Sequence, residues 1–219
     1  MFNTILHYIF APFITAIIIT PAVIFYAKKT SMVAEPKEDR WHSTTTPLLG
    51  GVSIFIGIIV GIFYANLVDS LGLPIISATL LIFISGLYDD IKGMPPYVKL
   101  LFQIVASTLV MSSGILVGKG ELLPDFIAIP ITILWIIGIT NALNLLDNMD
   151  GLCAGISGII SLFLGVIFHL DDQLNLALFS FIIAGAAFGF LFFNLKPAKI
   201  FMGDCGSLTL GFLLSVISL

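Results

Sequence analysis

Residues 174–193 read L-N-L-A-L-F-S-F-I-I-A-G-A-A-F-G-F-L-F-F, without one charged side chain. A helix needs about 20 such residues to cross the hydrocarbon core of a bilayer. There it satisfies every backbone amide internally. Comparable runs flank this one. Hydropathy places spans at Phe2–Ala27, Leu48–Val68, Leu71–Tyr88, Val98–Val117, Phe126–Leu146, Leu152–Leu170 and Leu174–Phe193, with a partial eighth from near Gly206 to Leu219. The whole composition agrees, since 58% of the 219 residues are apolar and only 10% charged, against about one-quarter charged in soluble domains. A soluble globule could not cover its surface with so few charges. A membrane barrel would need alternating polar and apolar residues, which these runs lack. The expected fold is all-α: a polytopic membrane protein of about seven full transmembrane helices plus a partial eighth. No repeat or linker divides it, so residues 1–219 are expected to form a single membrane-embedded domain. The eighth run is too short to cross alone, so either it leans on a partner or the chain is a fragment.

The loops alternate between two faces. Lys28, Lys29, Lys37, Arg40, Lys92, Lys99, Lys196 and Lys199 fall on one, and Lys119 on the other. The positive-inside rule places the first face in the cytoplasm and the N-terminus outside. Cys153 and Cys205 lie near the cytoplasmic, reducing side, and read as small buried residues rather than a disulfide. His7 and His169 have no partner motif and read as structural or interfacial.

Ionisable groups at membrane depth are costly and tend to mark function. Four polar clusters lie on the cytoplasmic face, as if one pocket were assembled from four loops. Asp89-Asp90 is followed by Lys92 and Lys99; adjacent carboxylates repel and stay ionised together only near cations. A solvated helix end is the plainer reading of this pair. In N-A-L-N-L-L-D-N-M-D-G-L, residues 141–152, Asn141, Asn144 and Asp147 recur every three residues, roughly along one helical face. Asp150 and Gly151 then turn the chain. A lone asparagine there would be interhelical glue; so many amides and acids exceed that need. In F-F-N-L-K-P-A-K-I-F-M-G-D-C-G-S, residues 192–207, Gly203 and Gly206 flank Asp204 and let the backbone come close to an ion. Ser207 and Thr209 are expected to cap the helix that follows, whose N-terminus attracts phosphate. Phe201 either stacks on a base or packs. In R-W-H-S-T-T-T-P-L-L-G-G, residues 40–51, Arg40 and His42 grip phosphate or lipid headgroups, and Thr44, Thr45 and Thr46 supply hydroxyls.

Oxygen donors without histidine or cysteine clusters suit a hard cation, magnesium or manganese. Beside lysines and an arginine, such an ion points to phosphate handling. No G-x-x-x-x-G-K-[ST] loop is present, so a nucleotide is not held as in a P-loop ATPase.

Four motifs in register carry a family resemblance: D-D-I-K from Asp89, N-A-L-N-L-L-D-N-M-D-G-L from Asn141, F-N-L-K-P-A-K-I-F-M-G-D-C-G-S from Phe193, and H-x-x-x-x-P-x-x-G-G from His42 to Gly51. Together they resemble the polyprenyl-phosphate N-acetylhexosamine-1-phosphate transferases, glycosyltransferase family 4, a superfamily that includes the phospho-N-acetylmuramoyl-pentapeptide transferases. The resemblance implies that a polyprenyl (undecaprenyl) phosphate attacks the β-phosphorus of a UDP-N-acetylhexosamine such as UDP-GlcNAc, and that UMP leaves. It implies catalytic roles for Asp89, Asp90, Asp147 and Asp204, with Asp204 and Asn144 on Mg2+ (Mn2+ as the alternative). Asp89 and Asp90 either activate the lipid phosphate or help to hold the ion. It also places Asp147, Asp150, Asn194 and Phe201 against the uridine or its phosphates, and Lys92, Lys99 and His42 on phosphate. The setting implied is the bacterial plasma membrane, with the site facing the cytoplasm, no nucleic acid, and room for a homo-oligomer. Thr46-Pro47-Leu48-Leu49-Gly50-Gly51 departs from the T-P-T-M-G-G of the peptidoglycan branch and favours the glycan-initiating branch of cell-wall biogenesis. Family members carry further C-terminal spans and a histidine-rich loop, and this chain contains no H-x-H, so it is expected to be C-terminally short. The rival readings are the peptidoglycan-branch enzyme, an inactive membrane fragment or scaffold, and a cation-coupled transporter, whose acids would lie near the bilayer midplane.

Overall fold

The structure is a computed structural model that describes residues 2–34, 45–118 and 123–219, with the side chains of the first helix described from His7 onward. Among these residues eight helices follow one another: α1 (Phe2–Lys29), α2 (Gly51–Tyr64), α3 (Val68–Lys92), α4 (Pro96–Ser112), α5 (Asp125–Leu146), α6 (Leu152–Leu170), α7 (Leu174–Asn194) and α8 (Asp204–Ile217). Strands are confined to a two-residue pair, β1 (Val33–Ala34) antiparallel to β2 (Thr46–Pro47), with Val33 opposite Pro47. The fold is the expected all-α polytopic membrane protein. Phe10, Ile18, Leu73, Leu134, Phe163 and Leu170 stand exposed on its outside, an apolar girdle that a bilayer, not water, would cover.

Five stretches are long and apolar enough to cross a membrane: His7–Lys29 within α1, then α3, α5, α6 and α7. The second and fourth expected spans are shorter than hydropathy drew them. Residues 46–50 are drawn off into β2 and its turn, so α2 begins only at Gly51. α4 stops at Ser112 because Gly114 takes φ +88°. At 1.5 Å per residue the 14-residue α2 is about 21 Å long, short of a hydrocarbon core of about 30 Å.

The centre of the bundle is α7 and α8. In the most apolar window of α7, 72% lies inside, against 22% in α1. α7 packs on α1 and α6, and α8 packs on α3 and α5. From Cys205 to Ile217 every residue of α8 is buried, so the short eighth helix finds its partners within this chain. Phe179, Ile182, Ile183, Phe190, Leu210 and Phe212 form the middle of the core.

One junction holds the first part of the chain to the last. Phe201 N–H donates to the Pro47 carbonyl (2.9 Å), while Gly50 and Gly51 N–H donate to the carbonyls of Phe201 (2.9 Å) and Met202 (2.7 Å). A Cβ on Gly51 would lie 2.1 Å from the Gly206 nitrogen. Only glycine lets the starts of α2 and α8 meet backbone to backbone there.

Candidate active site

The ends of α3 and α5 and the starts of α4 and α8 meet at one end of the bundle. Each brings a polar side chain to that end. Lys99, in the first turn of α4, places its Nζ 2.5 Å from Asp89 Oδ2 and 2.6 Å from Asp204 Oδ2. Asn144, on the last turn of α5, donates Nδ2 to Asp204 Oδ1 (3.0 Å) and to Ser207 Oγ (2.9 Å). Both oxygens of Asp204 are therefore engaged, one by a cation and one by an amide. A single ammonium thus bridges the two carboxylates.

Asp90 does something different from its neighbour. Its Oδ1 accepts from the Asp204 backbone N–H (2.7 Å) and its Oδ2 from that of Cys205 (3.0 Å). The carboxylate thus caps the N-terminus of α8, where unpaired N–H groups and the helix dipole favour an anion. Gly203 makes this possible: its φ is +75° and a Cβ there would lie 2.6 Å from Asp90 Oδ2. The expectation that Ser207 and Thr209 cap this helix is corrected. Ser207 donates back to the Gly203 carbonyl and Thr209 to that of Cys205, each four residues earlier. A hydroxyl already inside the helix bonds to the preceding turn, which leaves the cap to a carboxylate from another helix.

Asp147 closes α5 and receives a hydrogen bond from the Gly203 N–H. Burial, and then the charges of Asp204 and Asp90, push its carboxyl well above the usual carboxylate range. Asn141, Asn144 and Asp147 do not share one direction. Three-residue steps drift by about 60° each around a helix, so Asn141 turns to Gln103 of α4, Asn144 to α8, and Asp147 leaves the helix.

A second group serves the loop after α7. Asn194 is 2% exposed; its Oδ1 accepts from Gly151 N–H and its Nδ2 donates to the Ile200 carbonyl, both at 3.0 Å. Asp150 Oδ2 accepts from Ala198 N–H at 3.1 Å. These two clamp residues 195–200 to the start of α6. Phe201 lies half-buried in the junction with β2. Lys92 is exposed over the Tyr88 ring, 5.6 Å from its centroid, and does not join the Asp204 cluster. Arg40, His42 and Thr44 lie outside the described residues. Gln103 had escaped the sequence reading; its signal was a buried amide four residues after Lys99 in an apolar helix.

Among the described residues no three histidine, cysteine, aspartate or glutamate side chains are grouped to hold a metal. The donors still fit magnesium, which keeps several waters and takes one or two carboxylates together with substrate phosphates. Asp204 and Asp89 are two hard oxygen donors that already share a cation, the Lys99 ammonium.

An apolar helical bundle with an acidic, lysine-bridged pocket at one end describes a class: membrane-embedded proteins that hold a polar site at the edge of the lipid. Residues 72–219 match the family described as Glycosyl transferase family 4, and the chain belongs to that family. It is 36% identical over 216 residues to a probable undecaprenyl-phosphate N-acetylglucosaminyl 1-phosphate transferase of Bacillus subtilis, covering 94% of this chain and 60% of that protein. A phospho-N-acetylmuramoyl-pentapeptide-transferase of Levilactobacillus brevis is 33% identical over 246 residues, covering 96% and 75%. A decaprenyl-phosphate N-acetylglucosaminephosphotransferase of Mycobacterium tuberculosis is 34% identical over 225 residues, covering 91% and 56%. The chain thus spans somewhat over half the length of the first and third of these relatives.

Proposed function

We propose that this chain carries the membrane-embedded catalytic core of a sugar-1-phosphate transferase. The reaction moves N-acetylhexosamine 1-phosphate from a UDP-sugar to polyprenyl phosphate and starts a cell-envelope glycan. The observation that carries this reading is the convergence of Asp89, Lys99, Asn144 and Asp204 from four helices. A phosphate oxygen of the lipid forms a bond to the β-phosphorus of the UDP-sugar. The bond from that phosphorus to the bridging oxygen breaks, and UMP leaves with the electron pair.

In this scheme Asp204, with Asp89, would hold Mg2+ (or Mn2+). The ion, when bound, draws negative charge from the diphosphate and from departing UMP. Asn144 fixes the Asp204 carboxylate through its amide nitrogen, so its part is to orient that ligand. Lys99 then offers its charge to phosphate oxygens as a mobile donor. Asp90 keeps the start of α8, and with it Asp204, in place. Asp147, next to Gly203, is assigned in this scheme to contact with the uridine or its phosphates. The clamp made by Asp150 and Asn194 shapes the neighbouring loop that carries Phe201. The setting proposed is a bacterial plasma membrane with this end of the bundle in the cytoplasm, consistent with the lysines at the ends of α1 and α3. The peptidoglycan-branch reaction is the second reading, favoured by the Levilactobacillus relative, of which 75% is covered.

The test is UMP release from UDP-N-acetylglucosamine with magnesium and undecaprenyl phosphate, by this chain and by any longer form in lipid nanodiscs. Turnover that disappears in Asp204→Ala while the variant still inserts supports the proposal. A longer form that turns over no UDP-sugar overturns it, and turnover only of UDP-N-acetylmuramoyl-pentapeptide selects the second reading.

A further inference from the structure

Gln103 is 2% exposed, yet it sits on α4, where only Gln103, Ala106, Ser107 and Val110 are buried. Its amide makes a reciprocal pair with Asn141 of α5: Asn141 Nδ2 donates to Gln103 Oε1 (2.7 Å), and Gln103 Nε2 donates to Asn141 Oδ1 (3.3 Å). Asn141 is itself anchored by Nδ2 to the Ile137 carbonyl at 2.8 Å. Among the described residues these are the only side-chain hydrogen bonds between α4 and α5. Gln103 lies one turn beyond Lys99 on the same face of α4, and Asn141 three residues before Asn144 on α5. The pair therefore joins α4 and α5 about one turn from the two side chains that grip opposite oxygens of Asp204.

An amide pair that both donates and accepts has one register, because any slide leaves a polar group unpaired in an apolar interior. Apolar packing of α4 on α3 has no such preference. We infer that Gln103 and Asn141 are positioning residues, a clip that sets the height of α4 so that the Lys99 ammonium meets Asp204. The inference rests on the transferase reading in taking the contact between Lys99 and Asp204 as part of the reaction site.

The test reads Lys99 itself, not turnover. The full chain in nanodiscs is acetylated with N-hydroxysuccinimidyl acetate, and labelling of each lysine is followed by peptide mass spectrometry. Lys92, exposed on the same rim, is the internal control. The wild-type protein should label Lys99 several-fold more slowly than Lys92. Gln103→Met and Asn141→Leu should each raise Lys99 labelling several-fold and leave Lys92 unchanged. The exchanged pair, Gln103→Asn with Asn141→Gln, should restore protection. Wild-type protection in both single variants, or an equal rise at Lys92, would overturn the inference. If Gln103→Met does not fold, Gln103→Glu keeps the acceptor and loses the donor; intermediate labelling then supports the clip and full protection overturns it. Expected labelling without UMP release would reject the transferase reading alone. UMP release with unchanged labelling would reject the clip alone.

Discussion

α8 and α4 both bring a charged residue to the site in their first turn, but they hold it in opposite ways. α8 is buried from Cys205 to Ile217, and Asp90 caps its first amides. Asp204 is therefore fixed through the backbone. α4 buries only Gln103, Ala106, Ser107 and Val110, and Lys99 reaches the site on a flexible stem tied by side chains alone. A centre that handles phosphates can use both: one ligand that does not move, and one cation that follows the charge.

The contrast predicts a ranking of stability effects, measured by thermal unfolding in one detergent. The largest is expected for Gly51→Ala, whose Cβ would press on the Gly206 backbone with nothing free to rotate away; overpacking of this kind costs about 3 kcal/mol. Asp90→Ala comes next, about 2 kcal/mol, because two N–H groups of α8 lose a charged acceptor. Asp147→Asn should act in the opposite sense. A carboxyl raised in the folded state makes the protein lose stability as pH climbs from the ordinary carboxylate range to the raised value, and the amide removes that loss. The variant should thus gain on the wild type as pH rises through that window, and a constant difference would refute it. Lys99→Met is expected to cost under about 1 kcal/mol, since a half-exposed ion pair contributes little, while lowering UMP release by roughly a hundredfold if one oriented charge is lost at the reacting phosphate. If Lys99→Met unfolded the protein more readily than Asp90→Ala, the contrast between a fixed anchor and a mobile arm would fail. Leu134→Ala, at a lipid-facing side chain that is 70% exposed, should change neither reading.

Much of this was legible in the amino-acid order. Apolar runs located all eight helices, and the placement of Asp89, Asn144 and Asp204 at one end followed from alternating loops. What could not be read was which neighbour each polar group would choose. Hydropathy treats a helix as a length and gives no sign that α8, buried from Cys205 to Ile217, is the most enclosed of the described helices. The two adjacent aspartates look equivalent in sequence, but one turns to Lys99 and the other to the amides of α8. Gln103 announced itself only as a polar residue in an apolar helix, and its partner lies 38 positions away.

The ladder joining residues 47–51 to 201–202 has a consequence for how the protein is made. α8 leaves the ribosome after the other described helices. Until it arrives, Asp90 waits at the rim with no amides to accept from. The carboxylate at the end of α3 would then help to draw in the start of α8, so that this helix and the acidic cluster settle together.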